Sequence, residues 1–188
     1  MRVHGFQFPE RLATREAVFS RVAERIGSDK VLYLEFGVYE GGSMRSWSRK
    51  LTHPESRLHG FDSFEGLPEA GGIWHKGQFG VKGTIPRIDD HRVQFFQGWF
   101  EQTLPEYRPP PHDRLVINID ADLYSSTICV LRHLRRHIRV GTYIYFDDFC
   151  QIDHEPRAFH EFMVESGLRF APVCASVTMS EVFFLCVG

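Results

Sequence analysis

Seven times along the chain a short apolar run rich in β-formers ends at glycine, a carboxylate or a turn: VLYLEFGV, RLHGFDSF, RVQFFQGW, RLVINID, GTYIYFDD, LRFAPVCASVT and SEVFFLCVG. Several are followed by helical stretches: MRSWSRKL, FEQTLPEY, STICVLRHLRRHI and HEPRAFHEFMVESG. Parallel strands need long crossover connections, usually helical, so this alternation predicts an α/β fold with a mostly parallel seven-stranded sheet and helices on both faces. RLVINID and GTYIYFDD are apolar nearly throughout, as strands covered on both sides are. The last two runs are joined by a turn too short for a crossover and read as an antiparallel hairpin. With 188 residues, 43% of them hydrophobic, the chain is sized for one domain spanning residues 1–188.

Local signals add detail. In RLATREAVFSRVAERIGSDK, Leu12, Val18, Val22 and Ile26 fall at helical spacing and Gly27 offers a stop, which predicts a helix within residues 1–30. Exposed apolar residues on that helix would make a homodimer a candidate state. Ser125 or Ser126 can cap the helix that follows RLVINID, and Pro156 stands early in the last helix, where its missing N–H costs little. Residues 65–90 show no periodicity and carry six glycines, the mark of a functional loop or a lid over a site.

Composition excludes some partners. The formal charge is −2, from 22 basic and 24 acidic residues mixed along the chain, without the basic stripe that phosphate backbones require; nucleic acid is not expected. Cys129, Cys150, Cys174 and Cys186 lie far apart with no CxxC pairing, which suits a reducing cytoplasm. No apolar leader opens MRVHGFQFPER and no stretch is long and apolar enough to span a bilayer, so the expectation is a cytoplasmic protein without membrane attachment.

The carboxylates carry the chemistry. INIDADLY ends an apolar run with Asp120 and Asp122, and YIYFDDFC ends the next with Asp147 and Asp148. Four acids so placed are costly unless a cation or a reacting proton sits among them. Oxygen donors suit Mg²⁺, and Asp120, Asp147 and Asp148 could supply them if the two strands are parallel neighbours. Asp122 would point to the same side as Asp120 if the strand persists that far. His154 and His160 flank the helix after the acid pair and could be ligand, base or packing residues. In EFGVYEGGS, Gly37 would let a ligand approach the backbone while Gly41 and Gly42 permit a tight turn into a helix with free N–H groups. Asp62 ends the second strand, where a carboxylate could grip a ribose.

Together these motifs resemble a known family. Glu35, Gly37, Gly41 and Ser43 are similar to motif I of the class I S-adenosylmethionine-dependent methyltransferases, whose fold is Rossmann-like. GFDSFEGLPE (60–69), GWFEQTLPE (98–106) and INIDADLYSST with FDDF resemble, more narrowly, the macrocin and mycinamicin O-methyltransferases, over about residues 30 to 165. The resemblance implies cofactor contacts from Glu35, Gly37, Tyr39, Gly41, Ser43, Asp62, Ser63, Gly98, Trp99 and Asp120. It implies Mg²⁺ on Asp120, Asp147 and Asp148, Asp122 as general base beside Asp120, and a basic position at Arg157. Trp74, Phe79 and Trp99 could wall the methyl-donor pocket. The family carries a longer N-terminal extension than the roughly 30 residues before the first strand here, which leaves open whether the acceptor is a sugar or another hydroxylated small molecule. Two other readings compete: a metal-dependent nucleotide-sugar transferase using the DxD stretch, and a non-catalytic module on the same fold.

Overall fold

The computed structural model describes residues 5–188. Strand β1 (Arg11–Leu12) leads into helix α1 (Arg15–Ile26), whose N-cap Thr14 accepts the Ala17 N–H at 3.2 Å and whose C-cap is Gly27. Then follow β2 (Val31–Phe36), α2 (Gly42–Lys50), β3 (Arg57–Asp62), β4 (Val93–Gln97), α3 (Phe100–Thr103) and β5 (Arg114–Ile119). The chain continues through α4 (Tyr124–Leu134), β6 (Tyr143–Phe146), α5 (Glu155–Ser166), β7 (Phe170–Ser176) and β8 (Val182–Cys186). The sheet order is β1-β7-β8-β6-β5-β2-β3-β4, parallel except where β8 runs antiparallel between β6 and β7.

Alternation along β2 divides the core between the two faces. Leu32, Leu34 and Phe36 join Ile117, Ile119, Ile144 and Phe146 under α4 and α5, while Val31 and Tyr33 join Val116, Tyr145 and Phe183 under α1 and α2. On the second face Phe19 of α1 lies edge-on to Tyr145 at 5.0 Å and tilted against Trp47 at 5.5 Å. Burying a ring such as Phe19 stabilises the fold by about 1.5–3 kcal/mol.

Several expectations change in detail. Among the described residues the sheet has eight strands, because Arg11–Leu12 pairs in parallel with Ala175–Ser176; two residues are too few to leave a periodic signal. Leu12 therefore belongs to a strand, and α1 starts only after the Thr14 cap. The N-cap of α4 is Leu123 with no side-chain bond, since Ser125 donates to Glu69 at 2.6 Å instead. Val18, Phe19, Val22 and Ile26 of α1 are buried within the chain, so this helix offers no apolar face from them for a homodimer. All four cysteines are free, Cys174 and Cys186 in the core. Among the described residues no helix is long and apolar enough to cross a membrane.

Candidate active site

The strand order turns back between β2 and β5: β3 and β4 lie beyond β2, and β6 lies beyond β5. In an open parallel sheet, ligands bind beyond the carboxyl ends of the strands at such a reversal. Gly37 follows β2 there, at φ 88°, and a Cβ added to it would lie 1.8 Å from the Asp120 carbonyl oxygen. Only glycine fits this position. Gly37 N–H donates to Phe61 C=O at 3.0 Å and Asp120 N–H to Phe36 C=O at 2.9 Å, which locks the ends of β2, β3 and β5 together.

A cavity of about 380 Å³ opens above these ends. Gly37, Tyr39, Asp62 and Ser63 line it after β2 and β3, Gly98 and Trp99 after β4, and Asp120, Asp122, Asp147 and Asp148 after β5 and β6. Leu67, Trp74 and Phe79 bring the 65–90 loop into the same wall. That loop is held by its own backbone, with Leu67 N–H donating to Gln78 C=O and Gly77 N–H to Leu67 C=O, both at 2.9 Å. Trp74 is buried with Leu67 and Leu123 and meets His154 edge-on at 5.1 Å. His154 Nδ1 accepts the Tyr124 N–H at 3.3 Å, so this histidine is held beneath the loop. His160 is exposed, and the exposed Arg157 lies 4.4 Å over the Tyr124 ring.

Three expected cofactor residues stand outside the cavity wall. Gly41 (φ 78°) is the N-cap of α2, and Ser43 lies in that helix's first turn. Glu35 is buried on the α1–α2 face, where it accepts the Tyr33 hydroxyl at 2.8 Å, and burial pushes its pKa up to about 8. Asp62 does line the cavity, with an additional task. Its Oδ2 accepts Val38 N–H at 2.7 Å and Tyr39 N–H at 2.8 Å, and its Oδ1 accepts Phe64 N–H at 2.7 Å. Asp62 thus ties the glycine turn to the start of the 65–90 loop, leaving Oδ1 capacity for a further bond.

The acids form one cluster. Asp120, Asp147 and Asp148 each offer an oxygen within 4.8 Å of the others. Opposite ligands of a Mg²⁺ octahedron stand about 4.1 Å apart, so this all-oxygen set fits such an ion after small side-chain adjustments. Burial raises the pKa of Asp120, of Asp148, of Asp147 to about 6 and of Asp122 to about 8, and neighbouring aspartates add to the rise at Asp120, Asp122 and Asp147. Such a group carries its full negative charge only with positive charge among it. Asp122 does not continue the strand: β5 ends at Ile119, and Asp122 has φ 59°, its carboxyl in hydrogen-bond contact with Asp148.

Two participants left no readable signal in the sequence. Arg15 reaches from the start of α1 to Asp147, which also accepts the Tyr145 hydroxyl. Glu155, wholly buried at the start of α5, accepts Ala121 N–H at 3.4 Å and Asp148 N–H at 3.0 Å, joining the two acid-bearing turns.

Residues 85–184 match the family model described as macrocin-O-methyltransferase (TylF). Over 157 residues, 72% of this chain and 59% of the relative, the chain is 33% identical to the 8-demethyl-8-(2,3-dimethoxy-alpha-L-rhamnosyl)-tetracenomycin-C 4'-O-methyltransferase of Streptomyces olivaceus. It is 30% identical over 157 residues, 72% of this chain and 58% of the relative, to the demethyldecarbamoylnovobiocin O-methyltransferase of Streptomyces niveus. The chain thus spans less than two thirds of the length of these curated relatives. Its fold is similar to the O-methyltransferase NovP, with a TM-score of 0.66 at 23% identity over 93% of this chain and 78% of that one. It is also similar to the O-methyltransferase TomG of Streptomyces achromogenes in complex with SAM, with a TM-score of 0.55 at 15% identity over 94% and 82% of the two chains.

Proposed function

Because the chain belongs to the macrocin O-methyltransferase family, we propose that it transfers the methyl group of S-adenosylmethionine to a hydroxyl of a sugar or other hydroxylated natural product, with Mg²⁺ held by Asp120, Asp147 and Asp148. Its fold is that of the class I O-methyltransferases. The observation that carries the reading is one cavity in which the Gly37 turn, Asp62 and three carboxylates suited to a cation stand together. The rhamnosyl substrate named for the Streptomyces olivaceus relative supports a glycosylated acceptor. The O-methyltransferase matches support methyl transfer over glycosyl transfer from a nucleotide-sugar.

S-adenosylmethionine would supply an electrophilic methyl group for direct displacement by the acceptor oxygen. A dication on the three acids would lower the pKa of the acceptor hydroxyl and favour the ionised forms of the carboxylates around it. The chain's own residues do the rest. Gly37 admits the cofactor close to the backbone, and Asp62 keeps the Val38–Tyr39 amides in place while offering Oδ1 to a ribose hydroxyl. Asp122, beside Asp148 in the same wall, accepts the hydroxyl proton. The 65–90 loop acts as a lid, with Leu67 and Trp74 excluding water from the reacting atoms. Residues 5–188 form one methyltransferase domain, and its free cysteines support a cytoplasmic setting.

The test is a panel of glycosylated and phenolic natural products incubated with S-adenosylmethionine and Mg²⁺, scored by mass spectrometry for a gained methyl group and repeated with a chelator. Methylation lost with the chelator supports the reading. Methylation that persists without metal would remove Mg²⁺ from it, and failure to bind S-adenosylmethionine at all would remove the activity.

A further inference from the structure

We infer that Arg15 is a built-in counter-cation of the acid cluster, which closes on Asp147 and Asp120 when no divalent ion is bound and is displaced when one enters. The inference rests on the metal reading above. Arg15 is the first residue of α1, where the positive end of the helix dipole disfavours a cation. Its backbone is nevertheless fixed at that place from two sides. Thr14 caps the helix, and β1 just before it is tied to β7, with Val177 N–H donating to Leu12 C=O at 2.9 Å. This delivers the guanidinium to the carboxyl ends of β5 and β6. There it bonds the Asp147 Oδ2 directly and stands 3.9 Å from the Asp120 Oδ2.

Those two acids belong to the set whose oxygens converge for a metal ion. An arginine that engages them competes with the ion for the same lone pairs and repels it by charge. The side chain is 42% exposed, so a path to solvent is open once it lets go. Asp147 keeps its second partner, the Tyr145 hydroxyl on Oδ1, in either state and stays oriented for the exchange. The coupling runs both ways by necessity: whatever Arg15 contributes to the metal-free fold, it subtracts from metal affinity.

The experiment is calorimetric titration of the full chain with Mn²⁺, without cofactor or acceptor, for wild type, Arg15→Gln and Arg15→Lys, with a thermal melt of each at saturating and zero metal. The expected result is that Arg15→Gln binds Mn²⁺ roughly ten- to hundredfold more tightly than wild type, a coupling of ordinary allosteric size. Its metal-free form should melt at a lower temperature and recover on adding metal, and Arg15→Lys should fall between the two. Equal or weaker Mn²⁺ binding by Arg15→Gln overturns the inference. So does unchanged Mn²⁺ affinity with weakened S-adenosylhomocysteine binding, which would make Arg15 a cofactor contact. Mn²⁺ binding by none of the three proteins overturns the metal reading itself.

Discussion

Glu155 joins the two turns that carry the acids, and its replacement by alanine separates positioning from ligation. The change leaves two amides, the buried Ala121 N–H and the partly buried Asp148 N–H, without their acceptor. Each orphaned amide costs about 1–3 kcal/mol. Part of that is offset, because burial and the charges of Asp148, Asp120 and Asp147 already penalise the Glu155 carboxylate. The net loss is expected near 1–3 kcal/mol, within a typical total stability of about 5–15 kcal/mol, so the variant should fold. Metal binding should suffer more, by about 10–100-fold, as it does when groups that orient ligands are removed. Glu155→Gln keeps one acceptor oxygen for two amides and should lie between. Urea denaturation gives the first quantity and Mn²⁺ titration the second. A Glu155→Ala protein that loses stability yet binds Mn²⁺ within about twofold of wild type would refute the argument that Glu155 sets the geometry of the acids.

Other expectations follow from the same geometry. Asp122→Asn should leave Mn²⁺ affinity nearly unchanged and lower the methyl-transfer rate by about 100- to 10,000-fold, with partial recovery at higher pH; Asp120→Ala should lose the ion, and the reverse pattern in titrations and pH–rate profiles would exchange their roles. Amide exchange in residues 65–90 should slow when S-adenosylhomocysteine and acceptor are added, whereas slow exchange in both states would mean a fixed wall and no lid. His59 is buried and hydrogen-bonded to the Tyr107 hydroxyl at 2.7 Å, and burial lowers its pKa from 6.5 to about 4. Because the folded-state value lies below the unfolded one, its contribution is whole above pH 6.5 and is lost as pH falls towards 4, up to about 3 kcal/mol. His59→Gln should flatten that acid limb in denaturation curves taken across pH 4–7, and an unchanged limb would place the titration elsewhere.

The sheet and most of the cavity were legible because their signals are local. Apolar runs of period two, glycine turns and pairs of aspartates announce strand ends within a few residues, and INIDADLY with FDDF brought the acids together once parallel neighbours were assumed. The missing parts act across long sequence separations or through the backbone. Arg15 meets Asp147 across 132 residues, and nothing in REAVFSRV marks one arginine among several. Glu155 reads as an ordinary acid in the first turn of a helix, where the dipole alone would favour it. Leu12 fell at helical spacing by coincidence, since a two-residue strand has no period of its own. The sequence places the Asp62 carboxylate at a strand end, while its hydrogen bonds to Val38, Tyr39 and Phe64 depend on how the following turns fold back.

The most direct measurement is calorimetric titration of wild type and Gly37→Ala with S-adenosylhomocysteine. The cavity beyond β2, β3 and β5 is taken to be the cofactor site, and a Cβ at Gly37 would sit 1.8 Å from the Asp120 carbonyl oxygen, forcing apart the two strand ends that form its floor. Saturable one-to-one binding by wild type is expected, with a loss of at least about tenfold in Gly37→Ala, equivalent to about 1.4 kcal/mol. Wild-type protein that shows no binding at millimolar ligand, or a folded Gly37→Ala protein that binds as tightly as wild type, would contradict it.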